Sequence, residues 1–163
     1  MLHYKLNDEY CIPTTNLLGT NSEKFTGIWR SYGFGSHGEI TTANIPPALS
    51  GEVGLVTNKD NGTYSAEIAT SVGNTVMNKG DTLTFSAYVK GNGNTVGKTG
   101  NIHLYNTNGT NTISTGSSFI FTNEWQRVKY TLTWTYDNPS NASANCYVYC
   151  ARAQGESFYI SNC

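Results

Sequence analysis

The side chains best suited to recognise a ligand are aromatic and hydrogen-bonding residues in strand-like segments. They are Tyr88, Lys90, His103, Tyr105, Tyr147 and Tyr149, joined by Tyr32 ahead of a Gly-rich turn. Aromatic rings stack on the apolar face of a pyranose, while neighbouring hydroxyls and amides hydrogen-bond its OH groups. The set therefore indicates sugar recognition, although outward tyrosines also stiffen sheets without binding anything, and a terminal lysine often protects an edge strand.

Residues that could catalyse a reaction form no recognisable constellation. The carboxylates lie mainly near strand ends and turns: Glu39, Glu52, Glu67, Asp81, Glu124 and Glu156. Glycosidases need two carboxyl groups about 5–9.5 Å apart, and nothing in the spacing marks such a pair. The three histidines lack metal-ligand spacing. The interpretation of Cys150 and His103 as a catalytic dyad is weaker than the interpretation of Cys150 as a buried thiol. We predict that the chain is not an enzyme.

The elements that must position these side chains are amphipathic strands. In Asp81–Lys90, Leu83, Phe85, Ala87 and Val89 alternate with hydroxyls, Tyr88 and Lys90. Because successive strand side chains point to opposite faces, one face packs in a core and the other meets water. The same period predicts that His103 and Tyr105 point outward. Tyr147 and Tyr149 do so if Cys146, Val148 and Cys150 point inward; the reverse assignment would bury both tyrosines. We expect all the outward rings to share one face.

Similar short strands recur between turn residues along the whole chain. The candidates are Tyr4–Leu6, Gly27–Phe34, Glu39–Ala43, Val53–Asn58, Tyr64–Thr70, Thr82–Lys90, Asn101–Asn106, Ser118–Thr122, Trp125–Tyr136, Asn145–Ala153 and Ser157–Ser161. The Gly- and Asn-rich stretch 91–100 is expected to be a long, exposed and mobile hairpin loop. No window has helical periodicity. The chain is therefore predicted to be all-β, either a sandwich or a barrel.

Composition narrows the classes of partner. The chain has ten Lys and Arg residues and eleven Asp and Glu residues, so its charge is nearly balanced, and only 13% of the 163 residues are charged. A basic stripe is missing, which argues against nucleic acid, and no apolar run approaches a membrane span of about 20 residues. The N-terminus shows no signal-peptide pattern. An amide- and hydroxyl-rich surface suits uncharged polar partners such as carbohydrate.

The four cysteines are Cys11, Cys146, Cys150 and Cys163. Cys146 and Cys150 lie four residues apart on one strand, roughly 13 Å, whereas disulfide Cα atoms lie within about 7 Å. They cannot bridge each other if that strand is regular. Free, partly buried thiols are favoured, with a Cys11–Cys163 bridge as the alternative.

The order of several motifs resembles a known family. Asn16-Leu-Leu18, Trp29, Asp81–Lys90, Trp125-Gln-Arg-Val128 and Phe158-Tyr-Ile160 follow one another as in the jelly-roll carbohydrate-binding modules attached to xylanases and cellulases. Such modules also occur in phage and prophage tail proteins, and the opening residues 4–18 look most like those. The resemblance implies an antiparallel β-sandwich of two sheets, a jelly roll, at 16–163 after a lead-in segment at 1–15.

Many members of that family bind a structural calcium through an early acidic segment and an Asp in the last strand. This chain has Glu23 in the early segment but Ser161-Asn162 where the Asp is expected. Because calcium takes six to eight oxygens, several from carboxylates, we expect no cofactor, with a calcium site near Glu23 as the alternative.

The resemblance implies a non-catalytic module that binds cell-surface polysaccharide, in a phage tail or receptor-binding protein used for host attachment. The expected location is the virion, or otherwise the extracellular space. Two alternatives remain. One is a spacer or docking domain that contacts other phage tail subunits through its tyrosines. The other is the binding module of a secreted polysaccharide-degrading enzyme.

Overall fold

A computed structural model describes residues 18, 25, 38–59, 67–72, 76–141, 144–149 and 153–163. Several sequence predictions lie outside these residues and are not addressed by it. They are the strands Tyr4–Leu6 and Gly27–Phe34, the lead-in segment 1–15, the candidate residues Glu23 and Tyr32, and Cys11 and Cys150.

The described residues form nine β-strands and one short 3-10 turn. The strands are β1 (Gly38–Thr42), β2 (Gly54–Asn58), β3 (Glu67–Val72), β4 (Thr82–Asn92), β5 (Thr99–Thr107), β6 (Thr112–Ile120), β7 (Gln126–Thr133), β8 (Ala144–Tyr149) and β9 (Ser157–Ser161). The 3-10 turn, Gly93–Thr95, joins β4 to β5. In this part of the chain, no helix is long and apolar enough to span a bilayer.

The strands pair into two antiparallel sheets. One has five strands in the order β1-β2-β9-β4-β7, and the other has four in the order β3-β8-β5-β6. Strand β9 is inserted between β2 and β4, and β8 is inserted between β3 and β5. The two sheets enclose one hydrophobic core. This arrangement is an all-β jelly-roll sandwich, which confirms the predicted fold class.

Alternating burial along the strands follows the sequence pattern. On β4, Phe85, Ala87 and Val89 are buried, and on β5 Ile102 and Leu104 are buried. On β8, Cys146 and Val148 point into the core while Tyr147 and Tyr149 remain half-buried, so the first of the two assignments for this strand is correct. Burying apolar area at about 25 cal/mol per Å² is what holds the sheets face to face.

Two predictions about the β4–β6 region are wrong. The stretch 91–100 is not a long exposed loop: β4 continues to Asn92, β5 begins at Thr99, and Thr95 between them is completely buried. The amides of Gly91 and Gly97 donate to the carbonyls of Thr122 and Phe121, each at 2.8 Å. The neighbouring strand β6 begins at Thr112, six residues before the predicted Ser118.

Candidate functional site

Four of the predicted ligand-binding residues lie together on the outer side of the four-stranded sheet. His103 and Tyr105 belong to β5, Tyr147 and Tyr149 belong to β8, and all four are half-buried. We call the outward residues of β5, β6 and β8 the aromatic face. These strands lie side by side because β5 pairs with β8 on one edge and with β6 on the other.

The register arranges these rings in three staggered rows. His103 is paired with Tyr147, Asn101 with Tyr149, and Asn145 with Tyr105. Rows two residues apart along a strand are separated by about 7 Å, so the rows at Tyr149, His103 and Tyr105 extend over about 14 Å. A surface of this length offers stacking positions to more than one sugar ring.

At the centre of the face, His103 and Tyr147 are in aromatic contact. Their ring centroids lie 5.9 Å apart with an interplanar angle of 60°. Burial lowers the pKa of His103 from its ordinary value of 6.5, so the imidazole is predominantly neutral at neutral pH. A neutral imidazole has one hydrogen-bond donor and one acceptor, as does a sugar hydroxyl.

A polar depression of about 170 Å³ lies beside His103, between β5, β6 and β8. Its lining includes Asn101, His103, Gly116, Ser118 and Tyr149. The hydroxyl of Ser118 donates to Oδ1 of Asn101 at 2.8 Å. This bond orients the amide, whose Nδ2 has no hydrogen-bond partner among the described residues and is available as a donor.

Gly116 creates the space for this depression. A Cβ placed there would lie 2.2 Å from the carbonyl oxygen of Ile102 and 2.9 Å from Cδ2 of His103. Since real Cβ atoms do not approach backbone oxygens so closely, no other residue fits without moving β6 away from β5. Sequence reasoning missed Gly116, Asn101 and Ser118 as site residues. A glycine inside a strand would have been a signal, but the predicted strand began at Ser118 and left Gly116 outside it.

The aromatic face carries no formal charge on β5, β6 or β8. Register and burial place outward on it Thr99, Asn101, His103, Tyr105, Thr107, Thr112, Ser114, Gly116, Ser118, Ile120, Asn145, Tyr147 and Tyr149. On these three strands, rings, hydroxyls and amides without Lys, Arg, Asp or Glu suit a predominantly uncharged polar ligand. Beyond them, the acidic residue Glu67 of β3 is the register partner of Tyr149 at one side of the face.

Tyr88 and Lys90 do not belong to this face. Both lie on β4, in the five-stranded sheet, on the side away from the core. The expectation that they share one face with His103, Tyr105, Tyr147 and Tyr149 is therefore wrong. Period two determines which side of its own sheet a residue occupies, but it does not determine which of two sheets a strand joins.

A loop of residues 43–53 reaches over the outer side of the five-stranded sheet. The indole Nε1 of Trp125 donates to the carbonyl of Pro46 at 3.2 Å, and the amide of Ala48 donates to Oγ of Ser161 at 3.4 Å. Ser161 is paired with Tyr88 in the register and is completely buried. The loop therefore covers part of this sheet near Tyr88.

Asn162 fastens the same loop and does not fit a calcium ligand. Its Oδ1 accepts from the amide of Leu49 at 3.1 Å and from the Ser161 hydroxyl at 2.7 Å, and its Nδ2 donates to the carbonyl of Ser50 at 3.0 Å. Both ends of the amide are used in direct contacts, and an N–H donor repels a cation. Among the described residues, no three His, Cys, Asp or Glu side chains converge as a metal site would require.

Several carboxylates considered for catalysis have structural contacts. Glu39 forms an ion pair with Lys59 at 3.0 Å, and Asp81 accepts from the amide of Asn78 at 2.7 Å within a turn. Glu52 accepts from the amide of Phe25 at 3.3 Å. Glu156 is buried against Lys98 and accepts from the amide of Ala153 at 3.2 Å. Each of these four side chains thus has a structural contact that explains its position without a catalytic role.

Cys146 and Cys163 are free thiols in the structure. Burial raises the pKa of Cys146 to about 12, and burial together with the nearby Cys146 raises the pKa of Cys163 well above its ordinary value. Such thiols carry almost no thiolate at neutral pH and are unsuited to nucleophilic catalysis.

Comparison with solved structures finds the same fold in carbohydrate-binding modules. The chain is similar to the CBM22-1 xylan-binding domain of Xyn10C from Paenibacillus barcinonensis, with a TM-score of 0.63 and 12% identity over 86% of each chain. It is also similar to a CBM4 module, with a TM-score of 0.55 and 15% identity over 89% of this chain and 87% of that one. The predicted resemblance is confirmed at the level of fold.

A viral protein has the fold as well. The enzymatically active domain of tailspike protein 4 from bacteriophage CBA120 matches with a TM-score of 0.62 and 13% identity, over 88% of this chain but only 20% of that one. No protein-family model matches the chain. No curated protein matches its sequence.

Proposed function

We propose that this chain is a non-catalytic carbohydrate-binding module that holds an uncharged oligosaccharide on the aromatic face. The observation that carries the proposal is the arrangement of four half-buried rings in three rows beside a polar depression. The rings supply apolar contact, while Asn101, His103 and Ser118 supply hydrogen bonds. The fold shared with xylan-binding and related modules supports the same interpretation.

The mechanism is recognition on a surface that the two sheets hold in place. Cross-strand pairing fixes the rings before a ligand arrives, so little conformational entropy is lost on binding. The area available on an open sheet face is small, and sugar hydroxyls must be desolvated. A single module should therefore bind weakly, with Kd of about 0.1–1 mM, or roughly −4 to −5.5 kcal/mol.

We propose further that the module serves in a phage tail or receptor-binding protein that attaches to host cell-surface glycan. The tailspike match, which spans most of this chain but a fifth of the viral protein, supports a role as one module of a larger assembly. Many copies on a virion would convert a weak single-site affinity into tight attachment through avidity. A module of a secreted polysaccharide-degrading enzyme is the competing assignment, supported by the xylan-binding match.

Glycan-array binding by a multivalent display of the protein tests the proposal. Tyr149→Ala and Tyr147→Ala should each weaken binding about tenfold, since an aromatic contact contributes roughly 0.5–1.5 kcal/mol beyond its area burial. Tyr88→Ala, on the opposite sheet, is the matched control and should leave binding of uncharged glycans unchanged. If no uncharged glycan binds, or the aromatic-face variants behave like the control, the proposal fails.

Whether the aromatic face is covered or exposed in the parent assembly distinguishes a docking domain from a glycan-binding module. A docking domain would have Tyr105 and Tyr149 covered by another tail subunit, where they could not meet glycan. Cross-linking through Ser114→Cys on the same face, carried out in the parent particle, should give no protein–protein product if the face is free for sugar.

A further inference from the structure

A group of cations lies on the outer side of the five-stranded sheet, opposite to the aromatic face. Lys90 belongs to β4, while Arg127 and Lys129 belong to β7 and are exposed. In the register Arg127 is paired with Tyr88, and Lys129 is paired with Ser86. We call these three cations, together with Tyr88, the cationic strip.

These three cations differ from the other described Lys and Arg residues. Lys59 pairs with Glu39 at 3.0 Å, Lys79 pairs with Asp137 at 2.6 Å, and Lys98 pairs with Glu156. Within the described ranges, Lys90, Arg127 and Lys129 have no acidic partner. The unpaired cations are therefore the ones that cluster on a single surface.

Neighbouring residues do not neutralise the strip. The outward residues of β4 and β7 near it are uncharged: Thr84, Ser86, Tyr88, Thr131 and Thr133. Glu39 lies on this side of the sheet, but on β1, three strands from β4, or about 14 Å at 4.8 Å per strand. Its carboxylate is also paired with Lys59. The exposed Glu124, in the turn three residues before Arg127, is nearer but forms no ion pair with the strip among the described residues.

Protection of a sheet edge explains only part of this arrangement. Natural sheets often carry Lys or Arg on edge strands to prevent edge-to-edge pairing, and β7 is an edge strand. Lys90 lies instead on β4, which pairs with β7 from Thr82 to Val89 and with β9 from Tyr88 to Asn92. Just past the β7 pairing, the amide of Gly91 donates to the carbonyl of Thr122, so the chain before β7 still covers this side of β4. A cation on an interior strand protects no edge, so the strip needs another explanation.

The spacing of the strip matches repeated charges on an extended chain. Arg127 and Lys129 are two residues apart on one strand, about 7 Å, and Lys90 is the diagonal neighbour of Arg127 at about 7–8 Å. The guanidinium Nη2 of Arg127 donates to Oγ of Ser86 at 3.1 Å, which holds this cation above β4. The three charges thus extend over about 14 Å at nearly regular intervals.

The groups around the cations favour a sugar polymer over other polyanions. The ring of Tyr88 offers a stacking surface, and Thr84 and Thr131, joined by a 2.8 Å hydrogen bond, offer hydroxyls. Nucleic acid is disfavoured because three cations neutralise few phosphates and the whole chain carries a net charge of −1. Rings, hydroxyls and regularly spaced cations together match a sugar chain that bears carboxylate or sulfate groups.

We infer that the cationic strip is a second binding site, specific for anionic polysaccharide and independent of the aromatic face. The loop of residues 43–53, fastened to Trp125 and Ser161, bounds this site near Tyr88. One molecule can then hold an uncharged glycan on one sheet and an acidic glycan on the other.

Affinity electrophoresis with matched polymer pairs tests this inference. Polygalacturonate is compared with its methyl ester, and dextran sulfate with dextran, so that each pair differs only in charge. We expect retardation by the anionic member of at least one pair and not by its neutral counterpart. The binding should weaken at least tenfold between 50 and 500 mM salt, and the two pairs distinguish carboxylate from sulfate recognition. Failure of both anionic polymers to retard the protein would overturn the inference.

Variants separate the strip from overall charge. Lys90→Gln/Arg127→Gln should reduce retardation about tenfold, whereas Lys59→Gln/Lys79→Gln, with the same net charge, should reduce it less than twofold. Equal losses in the two double variants would refute a specific site. Each variant must keep its melting temperature within about 2 °C of the parent protein.

Two further comparisons distinguish the strip from the aromatic face, and sugar recognition from recognition of charge alone. Tyr88→Ala should weaken retardation several-fold while Tyr149→Ala leaves it unchanged, which is the reverse of their effects on uncharged glycans. Poly-glutamate should retard the protein at least fivefold less than the anionic polysaccharide at equal charge concentration. Equal retardation by poly-glutamate would show that charge alone is recognised.

Discussion

His103 and Tyr147 face each other across β5 and β8, with ring centroids 5.9 Å apart. The contact joins the two strands that carry the aromatic face, and it encloses the imidazole enough to lower its pKa. The contact that helps to position the His103 ring therefore also helps to bury it, and burial makes the ring harder to protonate.

The lowered pKa of His103 predicts that acid destabilises the fold through this residue. An unfolded His binds a proton near pH 6.5, whereas the folded one binds it at lower pH. Between those two values the unfolded state holds more protons, so the free energy of unfolding falls as pH decreases below about 6.5. Urea denaturation at pH 7.5 and 5.5 should show a larger loss in the parent protein than in His103→Asn. An NMR titration placing the His103 pKa above 6.5 would contradict this.

Gly116→Ala should destabilise the protein and abolish the depression. The added Cβ would meet the carbonyl oxygen of Ile102 and the ring of His103, so β5 and β6 would have to separate. Overpacking of this kind costs about 1–3 kcal/mol, measured as the free energy of unfolding in urea. Ser114→Ala, on the same strand and face, is the control and should change stability by less than about 0.5 kcal/mol. Equal stability of the two variants would show that β6 adjusts freely.

Lys98→Met should cost more stability than Lys79→Met. The Glu156 carboxylate beside Lys98 has a side-chain exposure of 5%, whereas Asp137 beside Lys79 is 89% exposed. Removing Lys98 leaves a buried charge without its partner, at a cost of about 1–3 kcal/mol because Lys98 is itself partly in water. Removing Lys79 should cost less than about 0.5 kcal/mol.

The double variant Lys98→Met/Glu156→Gln distinguishes the charge from the packing of this pair. It should recover part of the stability that Lys98→Met loses, because no uncompensated carboxylate remains. A double variant less stable than either single one would show that the two side chains contribute through separate contacts.

Cys146 should resist alkylation in the folded protein. With burial raising its pKa to about 12, only about one thiol in ten thousand is ionised at pH 8, and the thiolate is the reacting species. Iodoacetamide labelling, read at Cys146 by tandem mass spectrometry, should be at least a thousandfold slower in buffer than in 8 M urea. Comparable rates in the two conditions would mean that β8 opens readily.

The alternation of side chains predicted the inside of the sandwich but not the assignment of strands to sheets. The buried positions on β4 and β5, and the bounds of β9, followed from local pattern, because period two acts within one strand. On β8 the same pattern left two opposite assignments open, since either set of side chains could face the core. The separation of Tyr88 from Tyr105 depends on β4 pairing with β7 and β9, partners that are distant in sequence. Local pattern contains no information about such pairing.

The early part of β6 escaped prediction for a related reason. In the register Thr115 and Ser117 take core-side positions, but Thr115 is only half-buried and Ser117 is exposed, while Gly116 lies on the outer side. Apolar alternation is therefore absent from Ser114 to Ser118. What holds Thr115 inward is a 2.8 Å hydrogen bond to the hydroxyl of Tyr130 on β7, in the other sheet. A strand held in place by a polar contact between sheets has no hydrophobic periodicity in its sequence, so the pattern could not predict it.

Strand β9 lies between β2 and β4, about a hundred residues after β2 and sixty-five after β4. During synthesis, β2 and β4 therefore leave the ribosome with a gap between them that only Ser157–Ser161 can fill. The five-stranded sheet must close in one late step, and a nascent chain halted before that point would expose two unpaired edges to other chains.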